Sequence, residues 1–292
     1  MVDADQPTHV TDVQPRPRLR WWRELLYVLL FYAVYSAIRN RFGSVAVSPA
    51  LALDNAREVI GLEKALGLFF ELELQQVFLD ASWFVRIWNV FYGTLHFVVT
   101  GAVMVWLYWR FPRRYRQWRT VLAWTTGLAL VGFATYPLMP PRLLNAGGEF
   151  GVRLPQYDFV DTLAEIGGLW SFSSGGMQTI SNQYAAMPSL HIGWALWCVF
   201  ALYPVLAARW SRVVLVTYPG FTFFAIVVTA NHYWLDAVGG AVVLAGGWYA
   251  GRWSLRLVRE RYDEPSTLGR AEPGPEARSH APEDRSERQQ IM

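Results

Sequence analysis

The chain has 292 residues, of which 53% are hydrophobic and 16% aromatic, and its formal net charge is +3. So large an apolar share excludes an ordinary water-soluble domain, and so small a charge gives no basis for a nucleic-acid partner. The single cysteine, Cys198, leaves no intramolecular disulfide and indicates neither redox chemistry nor a structural zinc.

Residues 1–20, MVDADQPTHVTDVQPRPRLR, are polar and proline-rich, too poor in apolar groups to fold alone, and are expected to form a disordered cytoplasmic tail. The apolar stretch over 21–38 ends in AIRNRFG, not in a small-residue cleavage site, so it reads as an uncleaved anchor. A helix needs about 20 apolar residues to cross a bilayer. Residues 87–109 and 213–231 contain no Asp, Glu, Lys or Arg and are long enough. Residues 120–139, 189–208 and 233–251 complete six expected spans, with Trp and Tyr near several ends as interfacial anchors. The predicted fold is all-α: an integral-membrane bundle of six transmembrane helices in residues 21–257, followed by a second disordered tail over 258–292.

Between the first two spans, residues 42–84 place apolar groups at helical spacing with charged residues among them, which predicts amphipathic helices lying on the outer surface. The second long connection, 142–187, contains FVDTLAEIGGLWSFSSGGMQTISNQYAAM. Connections of that length are functional or disordered, and its aromatic content predicts that it folds over something. Arginines fix the orientation, because basic residues stay on the cytoplasmic side of short loops. Arg16, Arg18, Arg20 and Arg23 precede the first span, Arg110 to Arg119 separate the second and third, and Arg209 and Arg212 separate the fourth and fifth. Both termini are thus expected in the cytoplasm of a multi-pass plasma (inner) membrane protein. Arg142, Ser189, His191 and the Asn231–His232 corner then share the extracytoplasmic face. The one lysine, Lys64, leaves arginine as the main cation for any anion site.

Of the five histidines, His9 and His280 lie in the tails and His96, in FYGTLHF, lies within the second span, where it reads first as a helix-to-helix hydrogen-bonding residue. His191 and His232 stand at the outer ends of spans. In MPSLHIGW, Pro188 and Ser189 have the character of a helix start, which puts His191 in the first turn. Unpaired amides and the positive dipole end make that terminus suited to an anion such as phosphate. In ANHYWLDAVGG, His232 and Asp236 are four apart, so a helix beginning there would carry both on one face. The carboxylate can then hold the Nδ1 proton and raise the basicity of Nε2, as a nucleophilic or general-base histidine requires.

Taken in order, YPLMPPRLL, AAMPSLH and ANHYWLDAVGG resemble the three signature regions of the membrane-bound type 2 phosphatidic acid phosphatase superfamily, most closely its inositol-phosphorylceramide synthase-like branch. The resemblance spans roughly residues 20–255, and FYGTLHF is similar to a Tyr/His stretch of that branch. It implies a phosphohistidine mechanism on a membrane lipid phosphate donor, either a phospholipid or a polyprenyl phosphate. The catalytic residues would be His191, His232 and Asp236, and the phosphate would be held by Arg142 and Ser189. Water or an alcohol would be the acceptor, with no metal and no other cofactor. Tyr92, His96, Asp158, Asp161, Asn182 and Tyr184 are candidates for substrate recognition.

The chain departs from the wider pattern at Thr135, Leu190 and Ala225-Ile226, where the superfamily's phosphatases carry Lys, Gly and Ser-Arg. Two cations are therefore missing, and Arg153 is the expected replacement. Two other classes remain. A bis-histidine haem protein would place its ligands deeper in the bundle, and a non-catalytic lipid-binding or transport protein would need no His–Asp pair. No internal repeat supports a transporter of inverted halves.

Overall fold

The computed structural model describes residues 20–42, 47–169 and 182–263. Almost all of both expected tails, and the SFSSGGMQTI part of the long connection, lie outside them. The described residues up to Trp253 make one compact unit, which contains every residue of the site; those from Ser254 onward make another.

The described chain is helical, with one isolated bridge between Leu138 and Ala185. Its helices are α1 (Trp21–Phe42), α2 (Pro49–Ala65), α3 (Glu71–Leu79), α4 (Ser82–Arg110), α5 (Pro112–Thr135), the short α6 (Thr162–Glu165), α7 (Leu190–Leu202), α8 (Arg209–Val228) and α9 (Trp234–Asp263). Each of the six stretches read as spans falls on one of the longer helices or on α7. Of these, α4 and α8 are long and apolar enough to cross a membrane by length and composition. The fourth stretch is shorter than expected: α7 ends at Leu202 and passes into a 3-10 turn at Tyr203–Val205, where Pro204 lacks the amide that another α-helical turn would use.

Helix α4 packs against α5, α7 and α8, and α1 lies along α5. Glu24 of α1 pairs with Arg119 of α5 and accepts the Tyr115 hydroxyl. Large apolar side chains point outward instead of in: Leu29 and Leu30 on α1, Val98 and Val105 on α4, Val213 and Val214 on α8, Val242 and Tyr249 on α9. The inner contacts use small residues. A Cβ on Gly240 would collide with the Ser189 carbonyl of the turn before α7, and one on Gly247 would collide with Thr125 of α5. Without a Cβ between them, the two backbones approach closely enough to make the contact themselves.

Helices α2 and α3 form a layer over one end of this bundle. Ser48 caps α2 by accepting the Leu51 amide at 3.3 Å, and Pro49 sits at its first position. The buried stripe of α2 runs Ala52, Leu53, Ala56, Val59, Ile60 and then Glu63, one helical face that ends in an acid. It packs on Leu138, Met139, Leu143, Leu144, Phe159 and Tyr184 from the two segments that carry the site. Amide side chains from below hold the long connection down. Gln75 exchanges two hydrogen bonds with the Val160 backbone, both 2.9 Å, and Asn89 bonds Thr162 and Gly167.

The glycine contacts make an opposed pair of expectations. Gly240→Ala forces α9 off the turn before α7 and should destabilise the protein by about 1–3 kcal/mol. Gly101→Ala, where nothing lies within 4 Å, should stabilise α4 by up to about 1 kcal/mol. Thermal unfolding of both variants in one detergent gives the signs.

Candidate active site

Three chain reversals bring the site together. The segment after α5 runs antiparallel to nothing regular, yet its backbone is tied on both sides: the Leu138 amide donates to Tyr184 O at 2.9 Å, and the Met139 amide to Ala52 O at 3.1 Å. The Arg142 amide donates to Ala230 O at 2.8 Å. Ala230 has φ of 51°, a left-handed conformation costly for a residue with a Cβ, which turns the chain sharply between α8 and His232. Finally, the Ser189 amide donates to Asp236 O at 2.9 Å and locks the start of α7 to the start of α9.

His232 and Asp236 are in contact, though not on one helical face. Helix α9 begins at Trp234, so His232 stands in the turn before it. The reason is the Asp236 carboxylate: its Oδ2 accepts the Tyr233 amide at 3.0 Å as a helix cap and also faces His232 Nδ1 at 3.1 Å. His232 Nδ1 lies 2.9 Å from Ala186 O as well. With two acceptors against Nδ1, that nitrogen carries the proton, and the lone pair of the neutral ring belongs to Nε2.

His191 lies in the first turn of α7, with its ring centroid 5.4 Å from that of His232. Tyr92 stacks on it at 4.3 Å with an interplanar angle of 18°, and His96 lies 4.1 Å away. His96 Nδ1 in turn lies 3.0 Å from Tyr92 O. Tyr92 and His96 of α4 thus form the wall behind His191. Ser189 is the residue before α7 and is fully buried, but its hydroxyl does not cap the helix. Ser189 Oγ and His191 Nε2 are both buried without a hydrogen-bond partner among the described residues.

Arg142 is 4% exposed. Its Nε donates to Asn231 Oδ1 at 2.9 Å, one terminal nitrogen to Asp161 Oδ2 at 2.8 Å, and the other to Gln183 Oε1. A cavity opens beside it, lined by Tyr92, Pro140, Arg142, Asn182, Gln183, Ala185, Ala186, Asn231 and His232. Among the described residues no group of three or more His, Cys, Asp or Glu is arranged to hold a metal ion.

The other expected residues are divided between this cavity and its surroundings. The Arg153 side chain rests against the Gly147 turn, where it occupies the space next to that glycine's α-carbon, and does not line the cavity. The Asp158 carboxylate faces Asn145 at 3.4 Å. Tyr184 is fully buried and donates to Phe150 O at 2.9 Å, and burial pushes its phenol up to about 12, so it remains a neutral structural donor. Asp161 serves Arg142 and caps α6 through the Ala164 amide at 3.2 Å. Asn182 lines the cavity and accepts the Tyr184 amide at 3.2 Å.

The sequence reading passed over Gln183 and Asn231 as functional groups, although both sit beside residues it selected. It also passed over Glu63 and Glu71, fully buried acids that reach the first amides of α9. Glu63 was detectable: it occupies the next position of an apolar stripe, where a carboxylate has no reason to be unless it has a partner.

No curated protein and no solved structure matches the chain. A family model described as the PAP2 superfamily matches residues 57–250. That match runs from the middle of α2 into α9 and takes in Arg142, Ser189, His191, His232 and Asp236 together, and so the chain belongs to the PAP2 superfamily.

Proposed function

We propose that the chain is an integral-membrane lipid phosphotransferase or phosphatase that works through a phosphohistidine on His232. Its superfamily consists of phosphatases and phosphotransferases. The observation that carries the reading is the fixed imidazole of His232, with Nδ1 held between Asp236 and Ala186 on a cavity whose buried cation is Arg142. A lipid-binding or transport protein has no use for a histidine locked in one tautomer.

In the first step Nε2 of His232 attacks the lipid phosphate. The P–N bond forms as the P–O bond to the lipid breaks, and protonated His191 gives its proton to the departing oxygen. In the second, water or an alcohol attacks phosphorus, His191 takes the proton back from the attacking oxygen, and the P–N bond breaks. Asp236 stabilises the imidazolium character that His232 gains. Arg142 offsets negative charge on the phosphate oxygens, while Ser189 Oγ and the α7 amides donate to them. An unpaired buried hydroxyl costs about 1–3 kcal/mol, which an arriving phosphate oxygen would recover.

The architecture that goes with this is a six-span bundle with 1–20 and 258–292 as cytoplasmic tails. Its site would lie at the extracytoplasmic face of the plasma (inner) membrane, so that the donor's tail stays in the bilayer. The outward apolar side chains of α1, α4, α8 and α9 support it. The donor is a phospholipid or polyprenyl phosphate. Membership of the inositol-phosphorylceramide synthase-like branch rests on Leu190 and Ala225-Ile226, and on polar amides lining the cavity, Asn182, Gln183 and Asn231, in a site poorer in cations than the wider pattern.

Purified protein incubated with phosphorus-labelled phospholipids and polyprenyl phosphates should acquire an acid-labile label on His232, and His232→Ala should lose both label and turnover. Released water-soluble phosphate would identify a phosphatase; a new labelled lipid formed only with added alcohol would identify a transferase. If no donor gives a His232-dependent product, the lipid-binding reading replaces this one. In the same assay His191→Ala should lower kcat about 10²- to 10⁴-fold. Arg142→Ala should lower it about 10²- to 10³-fold, whereas Arg153→Ala should leave it near wild type.

A further inference from the structure

Two buried acids take no part in the reaction outlined above. Glu63, near the end of α2, and Glu71, at the start of α3, both come from the outer layer and both reach the head of α9. Glu71 Oε1 accepts the Trp234 amide at 3.0 Å and Glu63 Oε1 accepts the Leu235 amide at 3.2 Å. With Asp236 Oδ2 on the Tyr233 amide at 3.0 Å, three carboxyl groups take up three consecutive amides that a helix start leaves unpaired. His232 immediately precedes those amides and Asp236 immediately follows them.

Glu63 Oε2 is buried with no donor facing it. Burial first, and the neighbouring Glu71 charge second, raise Glu63 above the ordinary carboxylate range; burial raises Glu71 too, opposed by the backbone amides it accepts.

We infer that Glu63 and Glu71 are positioning residues for the reaction: two buried carboxyl groups that cap Leu235 and Trp234 and so hold His232 and Asp236 in their shared hydrogen bond. The inference rests on the reading of His232 as nucleophile. The charged and titratable groups facing the pair are Asp236 and Tyr233 at the head of α9, and Tyr157 from the long connection faces Tyr233. Lys64 turns to the rings of Phe69 and Tyr157, 5.1 and 4.9 Å away. Deprotonating Glu63 therefore adds an anion beside Glu71 and Asp236. Because its folded-state pKa is raised, the folded arrangement is favoured below the ordinary carboxylate range and loses stability as pH rises above it.

The test compares Glu63→Gln, Glu63→Ala, Glu71→Ala and His232→Ala in the full chain, with labelled phosphatidic acid as probe. Turnover is followed from neutral into alkaline pH, and hydrogen exchange is followed at the Trp234 and Leu235 amides. Glutamine copies the protonated acid without a proton to lose, so Glu63→Gln should keep neutral-pH turnover and lose the wild type's alkaline decline. The alanine variants should exchange those amides faster and lose kcat on the order of 10²-fold at unchanged KM. Wild-type exchange in Glu63→Ala, or a wild-type alkaline decline in Glu63→Gln, overturns the proposal; the glutamine profile decides alone if the alanine variants do not fold. Equal turnover by wild type and His232→Ala instead overturns the catalytic reading, and this proposal with it, whatever the amides do.

Discussion

A guanidinium almost wholly out of water must find its partners inside the protein, and Arg142 finds them on three segments far apart in sequence: Asp161, Gln183 and Asn231. Leaving such a charge uncompensated would cost several kcal/mol, so none of the three loops can move away independently. The chain after α5, the long connection, the turn before α7 and the turn before α9 are thereby one cooperative unit. The backbone bonds from Arg142 to Ala230, from Leu138 to Tyr184 and from Ser189 to Asp236 run between the same partners. The site's geometry follows from this one buried cation more than from any single helix.

The outer layer contributes on the opposite side of the same unit. Residues 42–84 were expected to form amphipathic helices, and α2 and α3 are more than a cover for the bundle. Their apolar stripe packs on the segments that carry Arg142 and Tyr184, while their two buried glutamates reach across to the amides beside His232. Every amide at the head of α9 that lacks a backbone partner faces a carboxyl oxygen among the described residues Tyr233 to Leu235.

Much of this was legible in the sequence where local rules apply. Uncharged runs located the helices, Pro188-Ser189 marked the start of α7, and the four-residue spacing of His232 and Asp236 announced their contact. The form of that contact was not legible, because whether Asp236 faces histidine across a helical turn or from a capping position depends on which amides need an acceptor. Nor were the partners of Arg142, which come from positions 161, 183 and 231 and are joined only by the folded chain. Arg153 was named for the phosphate by charge and segment alone, and no sequence signal showed that its side chain rests against the Gly147 turn. Glu63 could have been found from its place in an apolar stripe; Glu71, at a helix start where acids are ordinary, could not.

Gly240 lets the backbone of α9 rest directly on the carbonyl of Ser189, two residues before His191 and eight after His232. The start of α7 and the head of α9 are consequently spaced by main-chain contact, not by how bulky side chains settle against one another. Val242 and Tyr249, a few residues along the same helix, face outward and have no share in that spacing. The outer surface of the bundle is thus free to change its side chains while the gap between the two helix starts stays the same.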